Sequence, residues 1–111
     1  MNVKELATLL EARILTEDAG LDNIVRSGYA CDLLSWVMAN GEEGMAWITV
    51  QTHLNVIAVA SLAEMACVIL PEGVEMNIEC IEKSKSENLS VLATKLNAFQ
   101  AASRMAHAGI Q

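Results

Sequence analysis

Apolar and polar residues recur along this chain with two different spacings, one typical of helices and one typical of strands. In the first ten residues, helical spacing of Val3, Leu6, Leu9 and Leu10 predicts a first helix of about two turns, capped by Asn2. Apolar runs rich in β-branched residues predict strands. These strands are expected at 13–15, 22–31, 45–50, 66–70 and 91–93.

Segments with helical periodicity separate the predicted strands. They are expected at 33–39, 55–65, 77–87 and 96–108. Asp32 or Ser35 can cap the first of them, and Asn40–Gly41 can end it because both residues accept left-handed backbone angles. In the 77–87 segment, Ile78 and Ile81 are expected to face inward, with charged residues outward.

The order of these elements predicts the fold class. Residues 45–50 are apolar on both alternating faces, as in a central strand that helices cover on two sides. With 55–65 and 66–70 they predict a βαβ unit, whose crossover is right-handed in nearly all known cases. We therefore expect an α/β fold, a three-layer α/β/α sandwich with a largely parallel central sheet. The length of 111 residues fits one domain, 1–111.

Composition and charge narrow the possible partners. The chain is 53% hydrophobic but only 4% aromatic, so its core must consist mainly of aliphatic side chains and Met. The net charge of -7 would repel a nucleic acid. Neither end carries an uncharged apolar run of about 18 residues, so we expect no membrane segment and a cytoplasmic location.

The sequence contains no recognisable catalytic or cofactor motif. There is no phosphate-binding loop, no Gly-x-Ser-x-Gly elbow, no His-Glu-x-x-His and no dinucleotide fingerprint. Cys31, Cys67 and Cys80 are an odd number and widely spaced, which predicts reduced, mostly buried thiols and no metal site. We therefore expect no enzymatic activity and no cofactor.

The candidate ligand site is a polar segment that follows the predicted central strand. Gln51, Thr52, His53 and Asn55 lie at the carboxyl end of that strand and in the first turn of the next helix. Free backbone N–H groups and the positive end of the helix dipole favour an anionic ligand there. Asp32 follows the neighbouring strand at the same edge of the sheet, where ligands collect in open α/β folds.

Each of these residues also has a structural interpretation. Thr52 can cap the helix, a contribution of about 1 kcal/mol, and His53 can be a hydrogen-bonded surface residue. The amides of Gln51 and Asn55 suit a base edge or a partner's backbone, or they satisfy neighbouring loops. Asp32 is equally well a helix cap or a functional carboxylate.

Two blocks of sequence carry a resemblance to a known family. Gly28-Tyr-x-Cys-Asp-Leu-Leu-Ser35 with Val37-Met-Ala-Asn40, and then the segment Trp47 to Leu62, resemble small single-domain members of the DRTGG-domain family. The resemblance implies a fold similar to the N-terminal domain of HPr kinase/phosphorylase. It also implies a non-catalytic regulatory or dimerising module, because related domains occur between nucleotide-sensing CBS modules of some pyrophosphatases and in some phosphotransacetylases.

The chain departs from the family pattern at two positions and keeps it at others. Gln51-Thr52-His53 stands where many relatives have Gly-Asp-Arg, and Pro71-Glu72-Gly73 stands where they have Thr-Gly-Gly. Thr94 matches the family's later threonine, and Phe99 matches the aromatic residue beyond it. The resemblance thus adds Thr94 to the candidate ligand-binding residues.

Two functional hypotheses follow from the residues and the resemblance. The first is a sensor of an adenine nucleotide or another phosphate-bearing ligand at 51–55. The second is a homodimeric scaffold that docks a partner enzyme. An apolar surface for it could come from Trp36, Met38, Met45 and Met105, although each of them alone is more often a core residue. Stand-alone relatives often accompany iron-only hydrogenase systems, which makes such an enzyme a possible partner.

Overall fold

A computed structural model describes all 111 residues. Helices and strands alternate, as the sequence predicts. In chain order the elements are α1 (Val3–Leu9), β1 (Arg13–Ile14), β2 (Ser27–Ala30), α2 (Leu34–Asn40), β3 (Met45–Ile48), α3 (Leu54–Leu62), β4 (Cys67–Leu70), α4 (Ile78–Ser86), β5 (Ser90–Ala93) and α5 (Ala98–His107).

The five strands form one largely parallel sheet in the order β1-β5-β4-β3-β2. Strands β2, β3, β4 and β5 are parallel to one another. The short edge strand β1 is antiparallel to β5. The carboxyl ends of the four parallel strands therefore meet at one edge of the sheet, where residues 31–32, 49–53, 71–73 and 94–95 follow them.

Two buried clusters place the helices on both faces of the sheet. One cluster of 13 residues joins α1 and α5 to the sheet, for example through Leu6, Met105 and Ile48. The other, of 12 residues, joins α2, α3 and α4 to the opposite face, where Trp47 is fully buried. The predicted three-layer α/β/α sandwich with a largely parallel sheet is confirmed.

The second strand is shorter than the predicted 22–31 segment. Before Ser27 the chain runs along the start of α1, where Asn2 forms an isolated antiparallel bridge with Ile24. A glycine inside a predicted strand, as Gly28 is, suggests a bulge or a close backbone approach, and the structure shows the close approach. This residue pairs in register with Ala46, and an added Cβ would lie 2.9 Å from Cε of Met105, so α5 approaches the strand closely.

The predicted inward face of α4 is wrong at Ile78, whose exposure is 66%. Cys80 and Ser84 are the buried residues of this helix. They are four residues apart and share one face, whereas Ile78 lies two positions from Cys80, about 200° around the helix. Ile81 is partly buried, as expected.

None of the helices has the length and hydrophobicity that spanning a bilayer requires.

Candidate functional site

Asp32 joins the carboxyl ends of β2 and β3. Its Oδ1 accepts hydrogen bonds from the Thr49 hydroxyl at 2.8 Å and from the Val50 N–H at 2.9 Å. The side-chain amide of Gln51 donates to the Asp32 carbonyl oxygen at 3.0 Å, and the Gln51 N–H donates to Thr49 Oγ1 at 3.1 Å. We call Asp32, Thr49 and Gln51 the strand-end clamp.

The clamp continues the pairing of the two strands beyond their last ladder bond. The N–H of Cys31 donates to the Ile48 carbonyl at 3.2 Å, and the Trp47 indole N–H donates to the Cys31 carbonyl at 2.8 Å. Beyond that point, the side chains of Asp32, Thr49 and Gln51 provide the hydrogen bonds between the two strand ends. The prediction that Asp32 or Ser35 caps α2 is wrong, because Leu33 is the N-cap of this helix and makes no side-chain capping bond.

His53, and not Thr52, caps α3. The Nδ1 atom of His53 accepts from the Asn55 N–H at 3.1 Å. Because an accepting Nδ1 carries no proton, the neutral imidazole bears its proton on Nε2 and is a donor there. Thr52 instead uses its carbonyl oxygen, which accepts from the Cys80 thiol at 3.5 Å.

Three consecutive backbone N–H groups at the start of α3 donate to no protein group. They belong to Thr52, His53 and Leu54, whereas the N–H groups on either side, of Gln51 and Asn55, are hydrogen-bonded. No Lys or Arg occurs between residues 27 and 82. An anion at this junction would therefore be held by backbone donors at the positive end of the helix, with the Thr52 hydroxyl and His53 as nearby side-chain donors.

Asn55 lies one step along α3 and lines a groove between α2 and α3. The groove has a volume of about 450 Å³, and most of its lining is apolar, including Leu34, Val59 and Leu62. The Asn55 side chain faces this groove without a hydrogen bond to the protein. Its amide can therefore read a polar edge of a bound group.

The apolar surface proposed for docking is present only in part. Trp36, Met38 and Leu62 are exposed on α2 and α3. Met45 is partly buried, and Met105 is buried between α5 and the sheet. Met105 thus has a core role instead of a surface one, since α5 turns this side chain toward Gly28.

Thr94 is separated from the other candidates. It follows β5, and β4 lies between β5 and β3, so about 10 Å separates the two strands. Its buried hydroxyl donates to the Leu10 carbonyl at 2.8 Å and accepts from the Leu96 N–H at 3.2 Å. The structure thus brings Asp32 and Gln51 together, places His53 and Asn55 in the adjoining helical turn, and leaves Thr94 elsewhere.

Sequence reasoning missed Thr49, the one buried member of the clamp, with an exposure of 1%. A signal for it exists, because it is the first polar residue after an entirely apolar strand.

Cys67 and Cys80 are buried and free, as predicted, and burial raises the pKa of Cys67 to about 12. No three His, Cys, Asp or Glu side chains converge closely enough to hold a metal ion.

Comparison with known proteins gives one family and one related fold. The family model described as the DRTGG domain matches residues 5–108. A crystal structure of the CBS and DRTGG domains of the regulatory region of Clostridium perfringens pyrophosphatase, complexed with its activator diadenosine tetraphosphate, superposes with a TM-score of 0.72 at 18% identity. The match covers 94% of this chain and 45% of that chain. No curated protein sequence matches.

At that identity the structural likeness establishes the fold, and the family model establishes membership. The match spans less than half of the pyrophosphatase regulatory region, which also contains CBS domains. The family model covers the chain from α1 to the end of α5. This chain belongs to the DRTGG domain family.

Proposed function

We propose that this chain, as one DRTGG domain over 1–111, is a non-catalytic regulatory module that binds an adenine nucleotide or another phosphate-bearing small molecule at the β3–α3 junction. The observation that carries the proposal is the run of three unpartnered N–H groups at Thr52, His53 and Leu54. The related pyrophosphatase regulatory region, which was crystallised with a nucleotide activator, supports it by analogy of fold.

The neighbouring residues have distinct roles in this proposal. The phosphate accepts from the three N–H groups and from Nε2 of His53. The Asn55 amide meets a hydrogen-bonding edge of the ligand beside the α2–α3 groove. Asp32 and Gln51 act indirectly, because the strand-end clamp fixes the backbone from which the N–H groups project.

A proline substitution tests the N–H donors directly. Leu54 is the first residue of α3, a position where proline is favoured because its missing N–H has no helical partner. His53 has φ -71° and ψ 152°, which suits a residue before proline. Leu54→Pro therefore deletes one of the three donors and keeps the helix, whereas Leu54→Ala truncates the same side chain and keeps the donor.

Calorimetry and thermal shift with AMP, ATP and diadenosine tetraphosphate provide the measurement. A nucleotide at 100 times its dissociation constant should add about 2.7 kcal/mol to the stability of the natural sequence. We expect Leu54→Pro to weaken binding at least tenfold, and Leu54→Ala to change it less than threefold. Equal affinity of the two variants would refute the proposed site, and no shift with any of the three compounds would refute an adenine nucleotide as its ligand.

A second candidate function, a homodimeric scaffold, is favoured by the exposed apolar side chains of α2 and α3. Trp36, Met38 and Leu62 form this surface, and contiguous exposed apolar patches mark interaction sites. Closed two-fold dimers are the commonest soluble assemblies. A partner enzyme would dock on the same surface. The family resemblance implies an enzyme of an iron-only hydrogenase system as one such partner.

Light scattering tests the scaffold. Leu62 is 86% exposed on α3, and Phe99 is 82% exposed on α5, on the other face of the sheet. Leu62→Gln should therefore dissociate the dimer, while Phe99→Gln, the matched control, should leave it intact. A mass of one 12.0 kDa chain at micromolar concentration for the natural sequence would exclude the homodimer.

A further inference from the structure

Most cations of this acidic chain are engaged in ion pairs, and the exceptions are few. Of the seven Lys and Arg residues, four lie within 4.0 Å of a carboxylate: Arg26, Lys83, Lys85 and Arg104. Lys4, Arg13 and Lys95 remain without an ion pair. Two of these three, Arg13 and Lys95, line the same hollow. It lies beside the carboxyl end of β5, and its other walls include Glu11, Gly73 and Glu75.

The register of the β1–β5 pair explains why these two side chains meet. Arg13 is opposite Ala93 across the antiparallel pair, and Lys95 follows Ala93 by two residues. Lys95 thus lies just beyond the end of β5, on the side of the hollow that Arg13 also lines. The two cations therefore border one space at the carboxyl end of β5, and they repel each other when nothing lies between them.

The hollow has the size and charge balance of a site for a small anion. Its volume is about 500 Å³, within the roughly 300–1,000 Å³ typical of small-molecule sites. Two carboxylates also line it, from Glu11 and Glu75. Glu11 lies 3.6 Å from Arg104, which leaves Glu75 as the one lining carboxylate without an ion pair. Two unpaired cations thus face one unpaired anion, in a chain whose net charge is -7.

The backbone beside the two cations adds to the site. Gly73, with φ +71°, forms one wall, and nothing lies within 4 Å of the position its Cβ would occupy. A bound group can therefore approach the backbone of this turn closely. The N–H of Lys95 donates to no protein group, so a backbone donor lies beside the two charged side chains.

We propose that this hollow binds the phosphate group of a small metabolite between the guanidinium of Arg13 and the ammonium of Lys95. Arg offers a planar pair of donors to two phosphate oxygens, and Lys supplies a point charge. Glu75 accepts a hydrogen bond from a hydroxyl or amino group of the same ligand. This location is independent of the β3–α3 junction, since β4 lies between β3 and β5.

Three single substitutions, each removing one unpaired cation, test the proposal with inorganic pyrophosphate as the probe. Arg13→Gln and Lys95→Gln remove the two proposed ligands, and Lys4→Gln is the matched control on α1. At low ionic strength, pyrophosphate should shift the backbone amide NMR signals of Arg13, Gly73 and Lys95. We expect at least tenfold weaker binding in the first two variants, and less than a twofold change in the control.

A fourth variant, Glu75→Gln, should change the affinity for pyrophosphate in the opposite direction. Removing the lining carboxylate should tighten pyrophosphate binding severalfold, an effect that loss of structure would not produce. The proposal is overturned if Lys4→Gln weakens binding as much as the other two, because long-range charge alone would then explain the effect. It is equally overturned if pyrophosphate does not bind, or if the shifts are confined to 52–54, the junction of the proposed function.

Discussion

Replacing Asp32 by Ala tests whether its carboxylate is a structural clamp or a group free to meet a ligand. The substitution removes the acceptor of two hydrogen bonds, from the Thr49 hydroxyl and the Val50 N–H. These bonds cross from the end of β2 to the end of β3. Asp32→Asn keeps an oxygen at the accepting position, and it loses only the charge.

The expected magnitude follows from which donor can reach water. Thr49 is 1% exposed, so its hydroxyl is a buried donor, and such a donor left without a partner costs about 1–3 kcal/mol. Val50 is exposed, so its N–H exchanges the carboxylate for water at a smaller cost of about 0.5 kcal/mol. We therefore expect Asp32→Ala to lower the free energy of unfolding by about 2 kcal/mol, and Asp32→Asn by less than half of that.

Urea unfolding and thermal melts measure this difference. At roughly 4–8 °C per kcal/mol for a domain near this size, the Tm of Asp32→Ala should fall by about 8 °C or more. Asp18→Ala is the matched control, because Asp18 is an exposed carboxylate outside the strand-end clamp. If Asp32→Ala is no less stable than Asp18→Ala, the clamp contributes nothing and the carboxylate is available to a ligand.

Three further predictions concern the rest of the fold. In urea unfolding, Gly20→Ala should destabilise the protein far more than Gly73→Ala, although both glycines have φ +71°. A Cβ at Gly20 would lie 2.7 Å from a backbone carbonyl oxygen, whereas a Cβ at Gly73 would meet nothing within 4 Å. Ellman's reagent should modify the partly exposed Cys31 in the folded protein, whereas Cys67, whose burial raises its pKa to about 12, should react only after denaturation; equal rates would contradict this. Hydrogen bonds from Lys83, the larger effect, and from Ser61 lower the pKa of Glu87 below its usual value of 4.5. Its stabilising contribution is therefore present above pH 4.5 and lost as the pH falls through the folded-state pKa, so thermal melts on acidification should show a decline that is smaller in Glu87→Gln.

The fold could be predicted because periodicity reports burial. Residues 45–48 are apolar on both faces, and β3 lies inside the sheet with helices on either side. The same argument failed at Ile78, because a short helix with few apolar residues does not define its own buried face. There Cys80 and Ser84 are the buried residues. Burial of Cys80 is expected of a free thiol, but nothing in the sequence predicts burial of Ser84.

The hydrogen bonds of the candidate site could be predicted only in part, since local rules compete with distant partners. Asp32 directly precedes a helix, which favours a cap, but its partner Thr49 is 17 positions away. Thr52 and His53 are both able to cap α3, and the choice depends on a helix start that sequence defines only to within about one or two residues. The burial of Thr94 depends on its contact with Leu10, 84 positions away.

The strand-end clamp also determines what the junction can offer a ligand. Asp32 Oδ1 and the side-chain nitrogen of Gln51 are hydrogen-bonded within the protein, and the other side-chain oxygens of these two residues are acceptors, which offer nothing to an anion. The donors left for an anion are the backbone N–H groups of 52–54, the Thr52 hydroxyl, Nε2 of His53 and the Asn55 amide. In the proposed function, the junction therefore holds an anion through backbone geometry more than through charge. Binding there should consequently respond to Leu54→Pro, which deletes a backbone donor, more strongly than to removal of any single polar side chain.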